Sequence, residues 1–117
     1  MAGELGQPLT APEYVLYRLV KKNKTIKWPP ERPRRPGQWH RILRGGANIH
    51  IGIEPKTDAV MEYTAEDGSE HLAYVEAYFS DGTIVCSGIT DKDGTYSDWA
   101  LTRLVWRELK PIFIMVS

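Results

Sequence analysis

Three histidines, one cysteine, an acidic turn and a basic proline-rich stretch are the parts of this 117-residue chain whose residue types could do chemistry. His40, His50 and His71 stand ten and twenty-one residues apart, with no HxH or HExxH pair. A zinc site needs three or four converging ligands, and this spacing gives no sign of convergence. Cys86 lies between Val85 and Ser87 in an apolar run. A thiol in mid-strand behaves as a small buried hydrophobe, whereas a nucleophile needs exposure and a depressed pKa. An enzyme using Cys86 or His50 therefore ranks last. Asp91-Lys92-Asp93-Gly94, with Asp98 beyond, sets carboxylates close enough for a hard cation. The helical calcium loop would need an acid where Thr95 stands, so a hairpin turn is the better reading. Gly45-Gly46 lacks the lysine and spacing of a phosphate loop. No metal and no cofactor is expected.

The remaining candidate is a binding loop. Trp28, Arg32, Arg34, Arg35, Trp39 and His40 cluster around PPERPRRPG, in which Pro30, Pro33 and Pro36 recur every third residue and favour polyproline II. Tryptophan and arginine are frequent interface anchors, and a proline-stiffened loop loses little freedom on association. The alternative is a stiff surface loop whose tryptophans pack back onto the domain.

Charge sharpens the contrast. Residues 21 to 44 hold nine Lys and Arg against Glu31 alone, +8, so the remainder of this neutral chain is −8. Such a field steers an acidic partner, or the stretch pairs with acidic neighbours such as Glu62, Glu66 and Asp67, or with a second copy. Nucleic acid is not the expected partner, because phosphate binding usually needs a basic domain and the pI is about 6.8. A single cysteine excludes an internal disulfide and fits a reducing compartment. The first residues do not read as a secretory signal, and no run approaches a membrane span. The expectation is a soluble protein, cytoplasmic or exported without a conventional signal, with no membrane insertion.

The elements that must position these residues form one domain over 1–117, with 1–8 a loose lead-in. Thr10-Ala11-Pro12-Glu13 has capping-box spacing, Pro12 falls in the first turn, and Val15, Leu16, Leu19 and Val20 recur at helical spacing. This predicts an amphipathic helix over 11–22, packed on the domain's own sheet or serving as a dimer surface through Val15, Leu16 and Leu19. Residues 25–116 are β-rich. Short strands are expected at Thr25–Trp28, Gln38–Leu43 and Asn48–Ile53, the last with Ile49, Ile51 and Ile53 on one face. From Val60 to Tyr96, apolar-rich runs alternate with period two and are cut by Asp67-Gly68, Asp81-Gly82 and Asp93-Gly94, the mark of an antiparallel meander. Residues 98–109 fit a helix capped near Ser97 or Asp98 or a strand, and Ile112–Val116 closes the chain as a buried strand. The fold class is mainly β, an antiparallel β-sandwich of immunoglobulin or fibronectin-III type with an amino-terminal amphipathic helix. The alternative is α+β with a second helix near 98–109.

Three pieces of the chain resemble the fungal immunomodulatory proteins, the small lectin-like Fve family. They are Leu19-Val20-Lys21-Lys22 followed by Pro29, Pro36 and Trp39; Asp67-Gly68-Ser69 leading into Tyr74, Glu76 and Tyr78; and Gly88-Ile89-Thr90-Asp91. Where that family carries an aromatic-glycine-arginine-glycine stretch, this chain has Glu31-Arg32-Pro33-Arg34. The resemblance implies a sandwich, a homodimer through the amino-terminal helix, and binding of carbohydrate or cell-surface partners. GITDKDGTY also resembles the hairpin of transthyretin-like modules, which implies a sandwich again. The function expected on these grounds is a lectin-like binding module for glycans or cell-surface partners. The alternative is an adaptor or immunity-type protein that neutralises a macromolecular partner through the basic proline-rich loop.

Overall fold

The computed structural model describes residues 10–28, 37–89 and 96–117. The first helix, α1 (Ala11–Lys21), begins as the sequence predicts. The Thr10 hydroxyl accepts from the Glu13 N–H, and the Glu13 carboxylate accepts from the Thr10 N–H at 3.0 Å. It ends at Asn23, which takes φ 59° so that the N–H groups of Asn23 and Lys24 reach back to Val20 and Leu19 carbonyls. Its apolar stripe, Ala11, Tyr14, Val15 and Leu19, is buried. This stripe packs on the domain's own sheet, against the strands Glu70–Tyr78 and Ile84–Ile89.

Residues 38–43, expected as a strand, instead form helix α2 (Trp39–Leu43). A strand would set Trp39, Arg41 and Leu43 on one face, but Trp39 and Leu43 are buried while Arg41 is exposed, which one turn of helix allows. Thr25–Trp28 adopts no regular strand.

The strands are β1 (Ile49–Gly52), β2 (Val60–Thr64), β3 (Glu70–Tyr78), β4 (Ile84–Ile89), β5 (Tyr96–Leu101) and β6 (Ile112–Val116), with α3 (Arg103–Glu108) before the last. The protein is mainly β, antiparallel throughout, with its helix at the amino end. The strands make one six-stranded sheet in the order β1-β6-β2-β3-β4-β5, not the two packed sheets of a sandwich. β6 slots between β1 and β2, so those two run parallel and the loop joining them crosses the end of the sheet.

Two cores follow from the alternation. On one face Val60, Leu72, Tyr74, Ile114 and Val116 meet α1, Trp39 and Leu43. On the other Met61, Ala73, Val75, Ile84, Cys86 and Phe113 surround Trp106 of α3. The Trp106 indole N–H donates to the Gly82 carbonyl at 2.8 Å and holds α3 to the β3–β4 hairpin. Both readings of 98–109 are thus partly met: the strand runs to Leu101, and the helix starts after Thr102, whose hydroxyl caps it.

A register shift between Val75 and Ala77 leaves Glu76 as a bulge residue. Beyond it, Ala77 and Tyr78 pair with Val85 and Ile84, so the simple alternation read from the sequence slips by one there. No helix among the described residues is long and apolar enough to cross a membrane.

Candidate functional site

Of the expected binding residues, Trp28, Trp39 and His40 are described. Arg32, Arg34 and Arg35 lie outside the described residues. Trp39 has 0% of its surface exposed and meets the half-buried Trp28 edge to face at 5.3 Å. It is a core residue, which corrects its placement as a surface anchor. His40 is half-buried, with ring Nδ1 2.5 Å from Glu62 Oε1.

Glu62 explains this arrangement. Its side chain is 3% exposed, and its carboxylate accepts from the N–H groups of Gly37 at 2.8 Å, Trp39 at 3.0 Å and His40 at 3.1 Å. These donors open α2, whose N-cap Gln38 makes no side-chain bond, so a carboxylate from a distant strand does the capping. Gly37 stands at φ 92°, in the left-handed region that favours glycine. The cluster is a structural latch.

A second polar cluster joins α1 to the sheet. The Arg18 guanidinium donates to both Glu76 oxygens and to the Tyr14 hydroxyl, and lies 4.5 Å over the Tyr74 ring. Tyr14 in turn donates to Ser87 Oγ at 2.8 Å, and Ser87 donates to Glu76. The Arg18 hydrogen bond holds the Glu76 carboxyl below its ordinary value and pushes the guanidinium further up. Burial and a hydrogen bond to Asp58 raise the Tyr74 phenol. Every member has its partner, so the cluster orients α1. Val15 and Leu19 lie beneath it, 0% and 1% exposed, and are unavailable as a dimer surface; Leu16 is partly buried against the same core.

The reactive candidates are likewise placed. Cys86 is buried, and desolvation pushes its thiol up to about 12, far from a thiolate at neutral pH. His71 stacks on Tyr63 and touches Ser69 Oγ at 2.7 Å, while Asp67 binds the same Ser69. The serine therefore sits between acid and imidazole, whereas a relay needs the imidazole in the middle. His50 is exposed on β1. Among the described residues no group of His, Cys, Asp and Glu could hold a metal ion. Asp91 and Asp93 lie outside the described residues.

Sequence reasoning missed the concave site. A groove of 840 Å³ lies where the β1–β2 crossover loop passes β1 and β6, bordered by Lys24, Asn48, His50, Lys56, Asp58 and Ser117. Asp58 is its most constrained member. It holds φ 72°, accepts from the Tyr74 hydroxyl at 2.7 Å, and stands 4.0 Å from the Lys22 ammonium. Glu54 on the same rim pairs with Arg107 at 3.6 Å. Among the described residues Lys24 and Lys56 form no ion pair, so the groove offers two cations to a ligand. No local motif marks it, because its residues come from three separate stretches.

Fold and groove together define a single-sheet, mainly antiparallel unit with one open concave end. The same fold occurs in a solved N-acetylmuramoyl-L-alanine amidase from Staphylococcus aureus, with a TM-score of 0.74 and 21% identity over 92% of this chain. The match takes in 30% of the amidase chain, so this chain corresponds to a minor part of that protein. At that identity the likeness establishes the fold. No family model matches the sequence, and no curated protein does. The lectin-like function and its neutralising-adaptor alternative are corrected here: a solved chain that contains this fold is an amidase, and Trp39, which both readings placed at the surface, lies in the core.

Proposed function

We propose that this chain is a peptidoglycan-directed binding unit whose groove at the β1 end takes the peptide-bearing muramoyl group. The observation that carries the reading is the groove itself, 840 Å³ with Lys24 and Lys56 on its rim and in no ion pair among the described residues. That volume is in the range of sites for small ligands, about 300–1,000 Å³. N-acetylmuramoyl-L-alanine is the junction between the sugar and the peptide of peptidoglycan, and the name of the structural neighbour supplies this substrate class. A muramoyl peptide carries carboxylates along its stem, which two lysines recognise as point charges. Asn48 and Ser117 add hydrogen-bonding groups at the same rim.

Calorimetric titration with soluble N-acetylmuramoyl-pentapeptide tests this. The peptide-bearing ligand is expected to bind, and N-acetylmuramic acid alone to bind far more weakly. Lys24→Glu/Lys56→Glu should lower affinity by at least about tenfold through charge reversal. Equal affinity in that variant, or no binding by the wild type, overturns the reading.

A further inference from the structure

The outer edge of β1 is a second surface, which adjoins the groove and shares Ile49, His50, Gly52 and Ile53 with it. Among the described residues no strand pairs with β1 beyond β6, so β1 ends the sheet. The Ser117 N–H donates to the Asn48 carbonyl at 2.9 Å, and the ladder continues as Ile49↔Val116, His50↔Met115 and Ile51↔Ile114. In an antiparallel ladder hydrogen-bonded and non-bonded pairs alternate. Asn48, His50 and Gly52 therefore turn their backbone groups toward β6, and Ile49 and Ile51 turn theirs outward. The Ile49 N–H is taken by the Gly46 carbonyl at 3.1 Å. The N–H and C=O of Ile51 and the C=O of Ile49 remain as an open hydrogen-bonding edge.

Side chains beside that edge supply selectivity. A hollow of 470 Å³ runs along it, with Ile49, Ile51, Ile53 and Ile112 as an apolar floor and Arg44 at the rim. Ile53 is 71% exposed. The nearby acids are engaged, Glu54 by Arg107 and Asp58 by Tyr74 and Lys22, whereas Arg44 forms no ion pair among the described residues. The edge is thus positive outside and apolar within.

We propose that the outer edge of β1 binds an extended, acidic segment of a partner protein as an added strand. Its backbone pairs with Ile51, alternate apolar side chains enter the isoleucine hollow, and the acidic side chains between them are attracted by Arg44 and by Lys24 and Lys56 beyond. Main-chain bonds give affinity in such strand addition, and pockets for every second side chain give selectivity. This site goes beyond the peptidoglycan reading and does not depend on it.

The test is fluorescence anisotropy with a short labelled peptide alternating glutamate and valine. Wild type is expected to bind it. Ile51→Pro removes the outward N–H without touching the β1–β6 ladder, since proline is tolerated on an edge strand, and should weaken binding by about tenfold or more. Arg44→Glu should weaken it and flatten its salt dependence. The same peptide N-methylated on its edge-facing nitrogens should not bind, an arm that leaves the protein unaltered. Equal binding of the methylated peptide, or undiminished binding by a folded Ile51→Pro, overturns the proposal. So does a wild type that takes no peptide but dimerises in sedimentation through this edge, which would assign it to a second copy. Muramoyl-pentapeptide titrated into Ile51→Pro separates the two sites: retained binding there leaves the groove reading standing whatever the strand peptide does.

Discussion

Replacing Glu62 by glutamine changes almost no volume and tests whether the latch is electrostatic. In the native arrangement Oε2 accepts from the Gly37 and Trp39 N–H groups, and Oε1 accepts from the His40 N–H and lies against its ring. A glutamine must set its NH₂ against one of these pairs. The milder choice faces His40, whose ring can offer a lone pair, but the His40 N–H still loses its acceptor. A hydrogen bond to a charged group contributes about 1.5–3 kcal/mol, and the two bonds that survive lose their charge assistance. The expected loss is about 3 kcal/mol, a large part of the stability of a small domain. For a chain of this size that is a fall in Tm of roughly 10 °C. Urea unfolding followed by tryptophan fluorescence reads it, since Trp39 lies beside the carboxylate. His40→Ala is the control and should cost less, because it spares all three backbone bonds. A Glu62→Gln loss below about 1 kcal/mol would show that water satisfies these donors and that the latch is not what orders α2.

Trp39 gives a second test of the same region: Trp39→Ala should cost about 3–5 kcal/mol as a buried aromatic deletion. Trp39→Phe should cost much less, because the indole N–H has no hydrogen-bond partner among the described residues; equal losses on denaturation would contradict this. The Glu76 carboxyl is held below its ordinary value of 4.5, chiefly by Arg18, so its contribution is fully present above that pH and lost as pH falls through the lower folded value. Glu76→Gln should accordingly flatten the pH dependence of stability in acid, and an unchanged acid limb would remove Arg18–Glu76 from the account. The Cys86 thiol, buried and raised to about 12, should resist an aromatic disulfide reagent in the native state and react on unfolding. Prompt native labelling would contradict its placement.

What was legible in the sequence was local. The Thr10–Glu13 box fixed the start of α1, and the alternation in β3 gave the correct faces as far as Tyr74. Asp67-Gly68 and Asp81-Gly82 marked turns, with both glycines at positive φ. The errors arose where a distant group overrode local pattern. Residues 38–43 read as a strand, yet the Glu62 carboxylate accepts the N–H groups that open a helix there, and Arg41 between the buried Trp39 and Leu43 is exposed. Nothing near Glu76 signals the bulge that aims it at Arg18. The isoleucines of β1 gave its buried face, but its position at the sheet edge depends on β6 entering between β1 and β2, a pairing across more than half of the chain. The groove shares that origin, and so escaped a reading based on neighbours in sequence.

In the proposed function the ligand occupies the β1 end of the sheet. Backbone amide resonances followed during titration with N-acetylmuramoyl-pentapeptide test it most directly. Shifts that saturate are expected at Lys24, Asn48, His50, Lys56 and Ser117, with α2 and the Trp28–Trp39 contact undisturbed. Shifts confined to Trp28, Trp39 and His40, or no saturable shift at the β1 end, would contradict it.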